Sequence, residues 1–281
     1  MRVTCCLGIF FGSLVILSGC GDSPQKAPKI GFGGLGISTT PPPQSSSPPV
    51  TAEEKKSARE LIDKVIQAHG GLDSLKKFKN FQVEADGWSD MAGKKINCAR
   101  TSVYSYPDRV RHRWVMETQP DPLTVVAALN GSTGWLKEGK MAPMPFSADF
   151  LTQLQLENQL DWYPFLFITE EPNMSITIRS VPDLNGKKML GLAIAQTGRP
   201  EIQLQIDPES YLLRAVNVEM LVAFVPTQYQ IVYNDYKSIM GANLPHLIQG
   251  FHNKQAKFEL RVKALRPVQE VESDLFDSSK H

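Results

Sequence analysis

The side chains with the widest chemical range in this sequence are five histidines, His69, His112, His246, His252 and His281, and the lone cysteine of the central region, Cys98. Zinc sites and activated nucleophiles need partners at fixed spacing. No His-Glu-x-x-His, Cys-x-x-Cys or Gly-x-Ser-x-Gly pattern occurs, so the motifs signal no metal, no cofactor and no serine hydrolase. Asp161, Glu170 and Glu171 fall near a predicted helix end and read as solvated charges, not as carboxylates facing each other across a cleft. His69 closes a predicted helix, where a partly protonated imidazole suits the dipole. Cys98 reads as a buried small apolar residue, because free cysteine is among the most buried types. One constellation stands apart. Arg109, Arg111 and Arg113 repeat at i, i+2, i+4, on one face of a strand, with Val110, His112, Trp114 and Met116 on the other. Such a row is either a plain solvent face or a site for anionic lipid headgroups, since guanidinium pairs well with phosphate.

The elements that must position these residues are mostly strands. Thr51 and Glu54 have capping-box spacing. Ala58, Leu61, Ile62, Val65 and Ile66 then repeat at helical period until Gly70-Gly71. From Phe81 onward the period becomes two, in short runs ended by turn signals such as Pro107-Asp108, Asn130-Gly131 and Asp207-Pro208. Ser147 caps a second predicted helix, carrying Phe150, Leu151, Leu154 and Leu160, that interrupts the strands. About eleven strands at regular short spacing argue for an antiparallel meander or barrel, a curved sheet with one concave apolar face over whose mouth the two helices pack.

The amino end is of another kind. Leu7–Leu17 is apolar but well short of the about 20 residues that span a bilayer. A near-terminal Arg2, a short apolar run and small residues form the layout of a secretory signal. Leu17-Ser18-Gly19-Cys20 resembles the bacterial lipobox, which implies cleavage before Cys20 and acylation of that cysteine. Gly21–Pro49 is rich in Gly, Pro and Ser and cannot bury enough surface to order itself. The expected organisation is therefore 1–19 signal peptide, 20–50 lipidated cysteine and disordered tether, and 51–281 folded domain. A periplasm-facing, lipid-anchored place in the cell envelope follows, with Gly21 favouring the outer membrane.

Lys plus Arg number 30 against 29 Asp plus Glu, so no basic stripe points to nucleic acid. Lys64–Leu72, Tyr106-Pro107-Asp108-Arg109-Val110-Arg111, Asn130–Trp135, Ile206-Asp207-Pro208 and Tyr233–Gly241 with Leu244-Pro245, in that order, resemble the LolA/LolB-like superfamily of periplasmic lipoprotein-handling proteins. The resemblance runs from about Ala52 to Phe276. It implies a mainly β (α+β) fold, an unclosed antiparallel β half-barrel of about eleven strands with lid helices over a concave apolar face. With no catalytic motif the chain is not expected to be an enzyme, and a monomer is expected. The implied cavity holds an acyl chain or a lipoprotein. Within such a cavity, strand alternation and side-chain size select Trp88, Trp114, Met116, Trp135 and Phe167 as lining residues. The alternative is an envelope-stress sensor or tethered scaffold with no transported ligand. The chain departs from the soluble carrier by its expected anchor, and from the anchored acceptor by lacking a good match to its membrane-prodding loop.

Overall fold

The computed structural model describes residues 6–10, 13–17, 51–171, 173–222 and 225–280. Cys20 and the tether lie outside these residues. The expected signal segment carries β1 (Cys6–Phe10) and β2 (Ser13–Leu17), which pair as a hairpin. β2 also meets β3 (Asn80–Met91) through Ser13 and Leu14. A cut before Cys20 would remove both strands and leave the main path intact.

That path is one open antiparallel sheet. From β3 the chain steps outward through β4 (Lys94–Ser105), β5 (Arg109–Met116), β6 (Leu123–Asn130) and β7 (Thr133–Glu138) to a two-residue edge strand, β8 (Met144–Pro145). It then crosses to the opposite edge, β9 (Met174–Ile178). The return runs through β10 (Leu190–Gln196), β11 (Ile202–Ile206), β12 (Leu213–Val222), β13 (Val225–Ile239), β14 (Ala242–His252) and β15 (Gln255–Pro267), which pairs with β3 in the middle. The order across the sheet is β8-β7-β6-β5-β4-β3-β15-β14-β13-β12-β11-β10-β9, thirteen strands where about eleven were expected. The short β8 was not foreseen.

The crossing makes the lid. After α1 (Ala52–Ala68) and the short α2 (Leu72–Lys76), α3 (Ala148–Asp161) and two 3-10 turns, Tyr163–Phe165 and Phe167–Glu170, carry the chain from one sheet edge to the other. α3 approaches β6 on one limb and β12 on the other. Gln155 donates to the Gly131 carbonyl (2.9 Å) on the first limb, and Arg199 donates to Gln159 on the second. α1 (Ala52–Ala68) starts with the expected reciprocal cap: Glu54 N–H donates to Thr51 Oγ1 (3.2 Å) and Thr51 N–H to Glu54 Oε2 (2.8 Å). It packs beside β9 and so shields that edge, while prolines at 143 and 145 blunt the other.

His69 locks α1 to the sheet. Its Nδ1 lies 2.8 Å from the Val65 carbonyl, which can only accept, so Nδ1 carries the proton and Nε2 accepts from Leu213 N–H at 3.4 Å. Burial lowers its pKa to about 4. The ring is therefore neutral, which corrects the expected partial protonation: desolvation outweighs the helix dipole. Gly70 follows with φ +100°, and a Cβ there would sit 1.8 Å from the Gly241 oxygen, so only glycine lets α1 end against the β13–β14 turn.

Candidate ligand cavity

The helix-covered face of the sheet is the inner face, and its two halves differ. Beneath α1, Ile62, Val65 and Ile66 join Phe78, Phe81, Leu192 and Leu213 in one apolar cluster. The turns after α3 complete it. Phe165 stacks on Phe78 (5.7 Å between centroids) and tilts on Phe81 (4.7 Å), while Phe167 meets Tyr106 edge-on at 5.0 Å.

Beneath α3 the lining changes. The helix buries Leu154, Glu157 and Asn158, and the same i, i+3, i+4, i+7 row continues to the half-buried Asp161. Its expected stripe of Phe150, Leu151, Leu154 and Leu160 is thus only half right. Facing the helix, inner positions of β4 and β5 carry Arg100, Ser102, Tyr104, His112 and Trp114, all buried. β13 adds Tyr229 and Tyr233.

Several of these groups satisfy one another. Tyr104 donates to Asp161 Oδ2 (2.7 Å), Ser102 Oγ meets His112 Nδ1 (2.7 Å), and Gln153 donates to Glu157 (2.8 Å). Burial raises the Asp161 carboxyl, and the Arg100 charge and the Tyr104 hydrogen bond pull it back. Burial, then the Arg100 charge, pushes His112 well below its ordinary value, so it is neutral. The Tyr229 and Tyr233 phenols stand well above theirs, mainly through burial, with nearby carboxylates adding to it. Other buried atoms here have no partner among the described residues: Tyr233 OH, Asn158 Oδ1 and Trp162 Nε1. An unpaired buried group costs about 1–3 kcal/mol, so such atoms take up water or the polar part of a ligand.

The residues singled out in the sequence divide between faces. Trp114, Met116 and Phe167 are buried in the inner cluster. Trp88 lies on the outer face, half-buried, with Lys95 Nζ 3.8 Å from its ring centroid. Trp135 is also outward. It packs on Val126 and Ala128 and donates Nε1–H to the Phe276 carbonyl (2.8 Å) of the carboxyl-terminal strap. Both are therefore removed from the cavity set. The physical reason is phase: Leu136, not Trp135, pairs inward with Ala127, and Trp88 alternates with inward Gly87. Cys98 is buried in the core, as expected, and burial raises its thiol pKa. Asp161 is not the solvated charge expected, whereas Glu170 is held by Arg59 on the surface of α1 (2.6 Å).

Sequence reasoning missed Arg100, Tyr104, Glu157, Asn158 and Tyr233. A signal was present: Glu157, Asn158 and Asp161 share the helical row of Leu154, and Arg100 alternates with Ser102 and Tyr104 along a strand. Two outer-face grooves, of about 460 and 640 Å³, border the strap, the first beside Trp135 and the second beside Arg109.

No family model matches the chain, and no curated protein sequence matches it. Among solved structures it is similar to a DUF1329 family protein from Desulfovibrio piger ATCC 29098 (9% identity, TM-score 0.51, covering 80% of this chain and 98% of that one). A weaker match is a LolA superfamily protein from Nitrosomonas europaea (9% identity, TM-score 0.48, covering 78% of this chain and 97% of that one). At such identity the likeness is one of fold. The architecture is an open antiparallel half-barrel, and the likeness to the DUF1329 family protein is one of this fold.

Proposed function

We propose that this chain is a non-enzymatic envelope module that binds an amphiphile, a lipid or an acylated protein, between the inner face and α3. Its hydrocarbon lies along Trp114, Met116 and Phe167, and its polar end reaches Asn158 and Tyr233. Acylated Cys20 holds the monomeric domain on the periplasmic side of the outer membrane. One observation carries this reading: α3 spans the open sheet from limb to limb, yet roofs a polar interior in which Asn158 Oδ1, Trp162 Nε1 and Tyr233 OH have no partner among the described residues. Burial of each methylene contributes about 0.8 kcal/mol, so an acyl chain supplies the affinity and the polar atoms the selectivity. Entry requires α3 to swing from the Gly131 or the Arg199 limb.

Uptake of a fluorescent fatty acid by the delipidated chain tests this. Trp114→Glu abolishes uptake, whereas Lys140→Glu on the surface leaves it unchanged. No uptake by the wild type at any concentration sinks the proposal. That result would favour a tethered scaffold, the reading supported by how fully Trp162, Phe165 and Phe167 pack the apolar half.

A further inference from the structure

The outer face distributes charge unevenly. Over β3 and β15, basic and acidic groups are matched: Lys263 with Asp86, Arg266 with Glu84 (3.6 Å), Lys257 with Asp90 (2.7 Å) and Arg261 with Glu259 (3.0 Å). Over β4 to β6 the register turns Ala99, Thr101 and Val103, then Arg109, Arg111 and Arg113, then Thr124, Val126 and Ala128 outward. No carboxylate occupies an outward position there. Among the described residues none of the three arginines has an ion-pair partner.

Arg109 is partly engaged. It donates to Ser105 (2.9 Å), lies over the Phe276 ring (5.4 Å) and shares a groove with Glu270, Glu272 and Asp274 of the strap. Arg111 and Arg113 lie further along the strand. Arg113 is exposed, and Arg111 is half-buried with its Nε unpaired. Two like charges two residues apart repel each other and gain only from an anion supplied from outside. A planar fork that finds no carboxylate suits phosphate oxygens.

We propose that the outer face of β4 and β5, centred on Arg111 and Arg113 beside the strip of β6 that Trp135 covers, docks on the anionic headgroups of a bilayer. Charge complementarity selects the partner. An acyl anchor at Cys20, the expected first residue of the mature chain, would keep this weak face at high effective concentration over the membrane. Docked on its outer face, the domain turns α1 and α3 away from the bilayer. The proposal does not depend on what the interior holds.

Vesicle co-sedimentation tests it. The chain from Gly21 onward, which carries neither the apolar segment Leu7–Leu17 nor Cys20, is mixed with vesicles of equal parts phosphatidylglycerol and phosphatidylcholine, or of phosphatidylcholine alone. Binding is expected to the anionic vesicles only, and to weaken with salt. Arg113→Gln lowers the partition about fivefold, and Arg111→Gln with Arg113→Gln about twenty-five-fold, from the usual contribution of each basic residue at such a surface. The control Lys263→Gln with Arg266→Gln removes equal charge from ion-paired sites and leaves binding within about twofold. Equal losses in both double variants, unchanged binding in Arg113→Gln, or retention on an immobilised polyglutamate resin but not on vesicles would each overturn the proposal, the last in favour of an acidic protein partner.

Discussion

Beneath α1 the inner face of the sheet is hydrocarbon against hydrocarbon; beneath α3 it is carboxylate, amide, phenol and guanidinium. Both regions are buried, and both are covered by a helix of ordinary length with a proper cap. The difference shows that a single sheet face can divide its work. Apolar contact needs no partner geometry and supplies stability wherever it is dense. A buried polar group stabilises only when every lone pair and proton is matched. The α1 half therefore specifies the fold, and the α3 half, incompletely matched, is where a ligand can gain.

The contrast breaks first at its apolar side. Phe165→Ala removes the ring shared by Phe78, Phe81, Trp162 and Phe167. The expected loss is about 3–5 kcal/mol in urea unfolding. A loss under about 1 kcal/mol would mean that the turns after α3 add little to the core, and the division of labour would fail.

Acid probes the same half by another route. His69 has a folded pKa of about 4 against an ordinary 6.5, so its contribution is complete above pH 6.5 and disappears as pH falls through 4. By linkage, acidification from pH 7 to pH 4 costs about 3 kcal/mol through this residue alone. His252, also lowered to about 4, adds a parallel slope from the other half. Stability measured against pH should therefore flatten, not vanish, in His69→Gln. An unchanged slope would show that the α1 joint does not exclude the proton. Gly70→Ala, at the same joint, combines φ +100° with a collision at Gly241 and should cost about 1–3 kcal/mol.

How legible these halves were in the sequence follows from their chemistry. The α1 half could be read because apolar periodicity reports burial directly: Ile62, Val65 and Ile66 show the helical row, and Phe81, Val83 and Ala85 the alternation. The antiparallel meander followed from many short runs between turn residues, and its unclosed form from the resemblance carried by the turn motifs. The polar half was hidden because polarity ordinarily reports exposure. Asp161 was read as solvated for that reason, although its row on α3 begins with buried Leu154. Trp88 and Trp135 were misplaced because size suggests burial but does not fix phase. Trp135 is indeed buried, under a carboxyl-terminal strap that no local pattern announces.

The smallest expected effect discriminates most sharply. Tyr104 and Tyr233 are both buried tyrosines on the inner face, roughly equal in exposure at 2% and 1%. Tyr104 donates to Asp161, whereas the Tyr233 hydroxyl has no partner among the described residues. Tyr104→Phe leaves the half-buried Asp161 carboxyl short of a donor and should cost about 1–3 kcal/mol. Tyr233→Phe removes a hydroxyl that the protein itself does not satisfy. It should leave the stability of the delipidated chain unchanged or raise it by up to about 1 kcal/mol. The same substitution should weaken a monoacylglycerol more than a hydrocarbon of equal chain length, because only the former has a polar group to lose a contact. Equal destabilisation by the two tyrosine variants would mean that Tyr233 is already bonded within the fold. The polar half would then be as fully matched as the apolar one, and it would hold nothing back for a ligand.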